Sequence, residues 1–261
     1  MLDISMVVVN YHTYPMIDRF LSSYDQYRPT ASSEVVVIDN ESTDQVHSLS
    51  LPDSVTVLPV KANLGYAKAC NLGASLTESR YIGLFNSDTY FVNDACIDRC
   101  ISFMDSNPDV GVVGPLQYSR AKAPRKFTAA GIIGTHAKPK HRGWSKTDRG
   151  EYRDVLEVVM VIGSAMIIRR EAWNAIMNDP VFRKHWPNAK GAMPEHFLYY
   201  EDTAVCYAMP KFGYKVFHVG DQGAEMVHEW HRTIGQTGHN HLKLSRLLFR
   251  ELMDDWGIEH D

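Results

Sequence analysis

The chain has 261 residues, 44% of them apolar and 22% charged, the proportions of a globular protein with ample material for a core. Its formal net charge of −4 argues against a nucleic-acid-binding face as the main function. An anionic substrate stays compatible, because a bound metal supplies positive charge locally. The cysteines Cys70, Cys96, Cys100 and Cys206 form no CxxC pair, and Cys96 and Cys100, one helical turn apart, read as core fillers in a reduced, cytoplasmic compartment. The apolar N-terminal run ends by Val9, and the later window Val155 to Ile168 carries Glu157. Neither reads as a leader or a transmembrane segment, so any membrane contact is expected to be peripheral.

In chain order, Ile4 to Val9 is a β-branched strand stopped by Asn10-Tyr11-His12. Tyr14 to Tyr27 has helical spacing, with Met16, Phe20, Leu21 and Tyr24 on one side. Glu34 to Ile38 is a second strand, running into Asp39-Asn40-Glu41-Ser42-Thr43-Asp44. Val55 to Val60 is a third, followed by Lys61-Ala62-Asn63-Leu64-Gly65 and a small-residue helix from Tyr66 to Leu76. Tyr81 to Phe85 is the fourth strand. Strand and helix alternate, which predicts an α/β fold with a mostly parallel central sheet and helices on both faces.

The fourth strand breaks into Asn86-Ser87-Asp88-Thr89. All four residues favour a plain turn. In an open α/β sheet, however, ligands bind beyond the carboxyl ends of the strands. An amide and a carboxylate two residues apart there can hold a hard divalent cation, completed by water and phosphate. A dinucleotide-binding domain would need Gly-x-Gly-x-x-Gly after the first strand, and that turn lacks glycine. Polar clusters end three strands instead, at Asn10-Tyr11, Asp39-Asn40 and Asn86-Ser87-Asp88, which suggests a pocket for a large polar ligand.

Further on, Cys96 to Asn107 is an amphipathic helix and Val110 to Val113 a strand. Residues 117–150 are the least patterned and read as a long loop or surface excursion. Val158 to Ile168 resumes the buried-strand pattern, and its Gly163-Ser164-Ala165 permits close approach by a ligand or a neighbouring backbone. Arg169 to Met177 is helical. After Tyr199-Tyr200-Glu201-Asp202, Thr203 to Phe212 continues as a helix stopped by Gly213. Lys215 to Val219 is a last strand, and Leu242 to Trp256 a packed terminal helix.

These segments resemble, in order, the inverting glycosyltransferases of family 2 with the GT-A fold. The matching stretches are Val7–Tyr11, Val36–Asp44, Asn63–Ala67, Asn71–Gly73, Leu84–Asp88, Gly163–Trp173, Tyr199–Asp202, Gly213–Val216 and Val227-His228. The nearest likeness is to the rhamnosyl- and galactofuranosyl-transferase-like branch. The resemblance implies a domain over residues 1–235, with a nucleotide-sugar half at 1–115 and an acceptor and catalytic half at 116–235. Residues 236–261 follow as a helical extension.

It also implies roles. Asp39 accepts a hydrogen bond from a pyrimidine base, with Asn10 and Tyr11 beside it. Asn63, Gly65 and Lys68 lie along the nucleoside and diphosphate, although Lys68 suits a plain surface position equally. Asp88 binds Mn²⁺ or Mg²⁺ with Asn86 assisting, and His228 is the distant metal ligand. Asp202 is the general base. Glu201 is its competitor, or else orients the acceptor or caps the following helix. Gly163, Ser164, Trp230 and Arg232 are acceptor-side or closing-loop positions, and Trp230 to Arg232 reads equally as a surface loop.

The implied reaction moves a single sugar from a UDP- or dTDP-linked donor to a glycan, lipid-linked sugar or protein. Ala204 stands where many relatives carry a second acid, so the acceptor contacts are expected to differ. Two rival readings remain. The spacings His228-x-x-His231 and His239-x-His241 suit a zinc hydrolase. A non-catalytic nucleotide-sugar- or glycan-binding module would bind donor without releasing nucleotide.

Overall fold

The structure is a computed structural model that describes residues 1–42, 51–122, 124–229 and 238–260. The first half runs β1 (Ile4–Asn10), α1 (Tyr14–Gln26), β2 (Ser33–Asn40), β3 (Val55–Val60), α2 (Tyr66–Ser75) and β4 (Tyr81–Asn86). Every residue of β1 is buried, as expected of a parallel strand covered on both faces. Its alternate residues enter different cores. Val7 and Val9 face a cluster with α2, whereas Met6 and Val8 face Ile17, Phe20 and Tyr24 of α1. The small residues of α2 let it approach closely, and a Cβ on Gly73 would stand 2.4 Å from Val7 Cγ1.

Beyond β4 come β5 (Thr89–Phe91), α3 (Ala95–Ser106), β6 (Val110–Tyr118), β7 (Phe127–Ala129), β8 (Ile132–Thr135), β9 (Lys138–His141), β10 (Val155–Glu157) and β11 (Ala165–Arg169). The chain finishes with α4 (Arg170–Asn178), α5 (Pro180–His185), α6 (Glu201–Ala208), β12 (Lys215–Val219), β13 (Glu225–His228) and α7 (Gly238–Trp256). The main sheet has the order β10-β12-β6-β11-β4-β1-β2-β3. It is parallel from β4 through β3, and β11 inserts antiparallel between β4 and β6. The end of β6 leaves this sheet to pair with β7 and β13, and β13 pairs in turn with β5.

Three expectations need correction. Residues 117–150 are not one loop: they extend β6, form β7 and fold the β8–β9 hairpin. The end of β6 and β7 are largely buried but short, while all four residues of the lysine-rich β9 are exposed, so the sequence showed no clear strand period here. Val158 to Ile168 is not one strand. Only Ala165–Arg169 joins the sheet, because the backbone at Gly163-Ser164 turns to serve other partners. The helix after Glu201 stops at Ala208, and a 3₁₀ turn, Met209–Phe212, carries it to Gly213, which adopts φ +80°.

Cys96 and Cys100 are buried in α3, as their spacing suggested. The C-terminal helix is part of the core. Phe249, Leu252, Met253 and Trp256 join the cluster that holds α2, α4 and α6, and Trp256 Nε1 donates to Asp179 Oδ1 at 2.8 Å. No helix among the described residues is long and apolar enough to cross a membrane.

Candidate active site

The carboxyl ends of β1, β2 and β4 are joined by buried side chains. Asn10 Nδ2 donates to Asp39 Oδ1 and to Ser42 Oγ, both at 3.0 Å. Asn10 Oδ1 accepts the Thr13 amide, and Thr13 Oγ1 lies 2.9 Å from Ser87 Oγ, which ties the first strand end to the Asn86–Asp88 turn. Tyr11 follows as a half-buried ring 4.5 Å from that of His12. On β2, Asn40 Nδ2 donates to Asn63 Oδ1 at 2.9 Å, and that oxygen also accepts the Gly65 amide. Asn63 therefore shapes the turn into α2 before it meets any ligand. Lys68 is exposed on the first turn of α2.

Gly65 has φ +77°, and a Cβ there would stand 2.4 Å from the Phe197 carbonyl oxygen. The turn expected along a diphosphate is thus also the seat for the segment leading to α6. That contact was invisible in the sequence because its partner lies far along the chain.

Asp88 meets His228. The β5–β13 register sets His228 opposite Thr89, and His228 Nε2 lies 3.4 Å from Asp88 Oδ1, with the two residues 5% and 6% exposed. The Glu229 amide donates to the Asp88 carbonyl at 2.9 Å and fixes the turn against the end of β13. Among the described residues His228 is the only group paired with the Asp88 carboxylate. A buried carboxylate with so little compensation suits a cation. One carboxylate oxygen and one imidazole nitrogen fit Mn²⁺ or Mg²⁺, ions that take their remaining ligands from water and phosphate. Among the described residues no group of three or more His, Cys, Asp or Glu side chains is placed to hold a metal, as a closed zinc site would need. His241 stacks on Phe197 at 4.4 Å. Trp230, His231 and Arg232 lie outside the described residues, as do Thr43 and Asp44.

Asp202 stands on the first turn of α6. Its Oδ2 accepts the Gly163 amide and its Oδ1 the Thr203 amide, each at 2.7 Å. Burial raises its pKa, and these amide bonds oppose the shift. Gly163 is required here, because a Cβ would lie 2.9 Å from Asp202 Cβ. The Gly163 carbonyl accepts the Tyr66 hydroxyl at 3.0 Å. Ser164 completes the span: its carbonyl accepts the Asn86 amide at 2.9 Å, and its Oγ donates to Gln117 Oε1 at 2.7 Å. Asp88, Asn86, Ser164, Gly163 and Asp202 are thereby joined through two adjacent strand ends.

Glu201 is more buried than Asp202 and faces inward. Burial and the neighbouring Asp202 push its pKa up to about 8, so it is protonated at neutral pH. Its Oε2 has no hydrogen-bond partner and lies 3.7 Å from Nε2 of the buried His196, whose pKa burial lowers to about 4. The sequence carried no signal for His196, Gln117 or Thr13. Nor did it mark the backbone strain: Tyr199 and Tyr200 adopt φ of +73° and +67° at the entry to α6, and Glu41 has φ +64° after β2. Such conformations cost bulky residues about 1–3 kcal/mol each and gather at functional sites.

The sequence profile of Glycosyl transferase family 2 matches residues 5–176, from β1 into α4. The chain belongs to glycosyl transferase family 2. No curated protein matches it in sequence. Solved structures share its fold. The mannosyltransferase PcManGT from Pyrobaculum calidifontis, in complex with GDP-Man and Mn²⁺, superposes with a TM-score of 0.58 at 15% identity, over 89% of this chain and 60% of that one. GalNAc-T7 with UDP, GalNAc and Mn²⁺ gives 0.66 at 14% identity, over 98% and 50%. TarS 1-349 from S. aureus in complex with UDP-GlcNAc gives 0.59 at 17% identity, over 97% and 67%. The family 2 chain spans 60% and 50% of the first two. Its mixed α/β architecture, a mostly parallel sheet flanked by helices, is that of the GT-A glycosyltransferases.

Proposed function

We propose that this family 2 glycosyltransferase is metal-dependent and inverting. It moves one hexosyl or deoxyhexosyl unit from a UDP- or dTDP-sugar to an acceptor hydroxyl, in the manner of the rhamnosyl- and galactofuranosyl-transferase-like branch. The observation that carries the reading is the continuous span from the Asp88–His228 pair to Asp202, with one carboxylate at each end. A displacement at the sugar carbon needs leaving-group stabilisation on one side and a proton acceptor on the other.

Asp202 is the proton acceptor. The acceptor oxygen bonds to the sugar carbon, the bond from that carbon to the diphosphate breaks, and the hydroxyl proton passes to the Asp202 carboxylate. Burial makes that carboxylate a stronger base, and the Gly163 and Thr203 amides hold it in place. The protonated Glu201 adds no charge beside it. Asp88 and His228, with Asn86 alongside, would hold Mn²⁺ or Mg²⁺, which when bound supplies positive charge to the departing diphosphate. The nucleoside lies along the ends of β1 and β2, with Asp39 at the base and Asn63 and Gly65 near the phosphates. Support for such a donor comes from structural neighbours in complex with nucleotides or nucleotide sugars, two of them with Mn²⁺.

A thermal-shift screen of nucleotide sugars with Mn²⁺ tests the reading. A UDP- or dTDP-sugar is expected to raise the melting temperature in a metal-dependent way, because a ligand that binds the folded state stabilises it. No shift with any nucleotide sugar would count against it.

A further inference from the structure

One of the two amides that hold Asp202 belongs to a glycine. Position 163 has no room for a side chain, because a Cβ there would stand 2.9 Å from Asp202 Cβ and 3.0 Å from Oδ2. Glycine has the widest backbone freedom of any residue, so a carboxylate bonded to its amide shares that freedom unless other contacts remove it. Two hydrogen bonds act just beyond it. The Ser164 carbonyl accepts the Asn86 amide at 2.9 Å, backbone to backbone. Tyr66 Oη donates to the Gly163 carbonyl at 3.0 Å and so fixes the peptide plane that follows the Gly163 Cα. The amide that reaches Asp202 lies in the plane before that Cα. The hydroxyl therefore bears on it through a single pair of backbone torsions.

Tyr66 also holds the other approach to Asp202. Its own amide donates to the Phe197 carbonyl at 3.1 Å, the oxygen that closes on Gly65. Between Phe197 and α6, Tyr199 and Tyr200 adopt φ of +73° and +67°, a conformation that persists only where the surroundings over-determine it. One residue at the start of α2 thus ties down both segments that meet at Asp202, one through its hydroxyl and the other through its amide. Burial first, and then Cys70, Glu201 and Asp202 nearby, push the Tyr66 pKa well above its ordinary value, so the hydroxyl keeps the proton it donates. The ring packs against the core cluster that contains Ala67, Cys70 and Ala204, a place that a phenylalanine ring fits equally.

We propose that Tyr66 is a positioning residue: its hydroxyl restrains the Gly163 backbone and through it the Asp202 carboxylate, an assignment whose kinetic consequence rests on the transferase reading above. Tyr66→Phe removes one oxygen and tests it twice in the full chain. In hydrogen exchange, the Gly163 amide should exchange about tenfold faster than in wild type, while the amides of β1 and β4 exchange as before. The second arm uses the UDP- or dTDP-sugar that stabilises wild type in the thermal-shift screen. Its saturated rate of nucleotide release should fall about tenfold, with the KM for that sugar nucleotide within twofold of wild type. A residue that only supported the fold would lower the melting temperature and leave the saturated rate unchanged well below it. A residue that only bound the donor would raise KM instead. Unchanged exchange at Gly163, faster exchange throughout β1 and β4, an unchanged saturated rate, or a raised KM as the sole kinetic effect overturns the assignment. If no sugar nucleotide stabilises wild type or loses its nucleotide, the transferase reading has failed, and exchange at Gly163 still decides whether Tyr66 holds this backbone.

Discussion

The Gly163 amide donates to Asp202 Oδ2 at 2.7 Å, while the next residue's carbonyl accepts the Asn86 amide at 2.9 Å. The backbone of two adjacent residues thus faces opposite halves of the site, through the N–H of Gly163 and the C=O of Ser164. They set the separation between the carboxylate on α6 and the turn at the end of β4, so the proposed base is positioned by backbone rather than by flexible side chains.

Asp202→Asn removes the proposed proton acceptor with little change in shape. Turnover should fall by roughly 10²- to 10⁴-fold, while nucleotide binding measured by calorimetry stays near wild type. Undiminished turnover would take Asp202 out of the reaction.

Gly163→Ala acts on the same carboxylate from outside. Its Cβ would lie 2.9 Å from Asp202 Cβ and 3.0 Å from Oδ2, forcing the side chain aside. The maximal rate should drop about ten- to a hundredfold, as expected for a displaced catalytic group. Donor-induced thermal shifts should persist, and steady-state kinetics beside thermal shift separates the two effects.

His228→Ala leaves Asp88 buried without its described partner. Mn²⁺-dependent nucleotide affinity should fall at least about tenfold, the cost of losing even an outer-shell metal partner, and titration calorimetry with and without Mn²⁺ reads it. Equal affinity in wild type and variant would remove His228 from the metal site.

Glu201 gives a pH signature. Its folded-state pKa, about 8, lies above the ordinary 4.5, so folding carries no penalty from this group below pH 4.5. Stability is then lost as pH rises toward 8, because the unfolded chain ionises first. Glu201→Gln should flatten that decline and gain up to about 3 kcal/mol at pH 7. His196, whose pKa is lowered to about 4, acts in the opposite sense and costs stability as pH falls below about 6.5. Denaturant melts of both proteins from pH 4.5 to 8.5 check the sign, and parallel curves would contradict it.

Gly65→Ala meets two obstacles, φ +77° and the Phe197 carbonyl 2.4 Å from the new Cβ. A loss of about 2 kcal/mol or more is expected in thermal or denaturant unfolding. A neutral change would mean that the segment before α6 does not rest on this turn.

By itself the sequence determined the frame. The β-branched runs at Ile4–Val9, Glu34–Ile38 and Tyr81–Phe85, alternating with apolar helices, are burial patterns, and burial is written residue by residue. The polar breaks at Asn10, Asp39 and Asn86 to Asp88 marked where those strands open, because a polar side chain cannot continue a buried strand without a partner. Tertiary structure alone decided what those breaks do. The pairing of Asp88 with His228, the seat of Phe197 on Gly65 and the hold of Gly163 on Asp202 join residues that no local pattern links. The strands within residues 117–150 were hidden for a related reason. Their backbone hydrogen bonds come from β6 and from one another; β7 buries Phe127 and Ala129 but is only three residues long, and Lys138 and Lys140 of β9 face solvent, so neither leaves a hydrophobic period long enough to read.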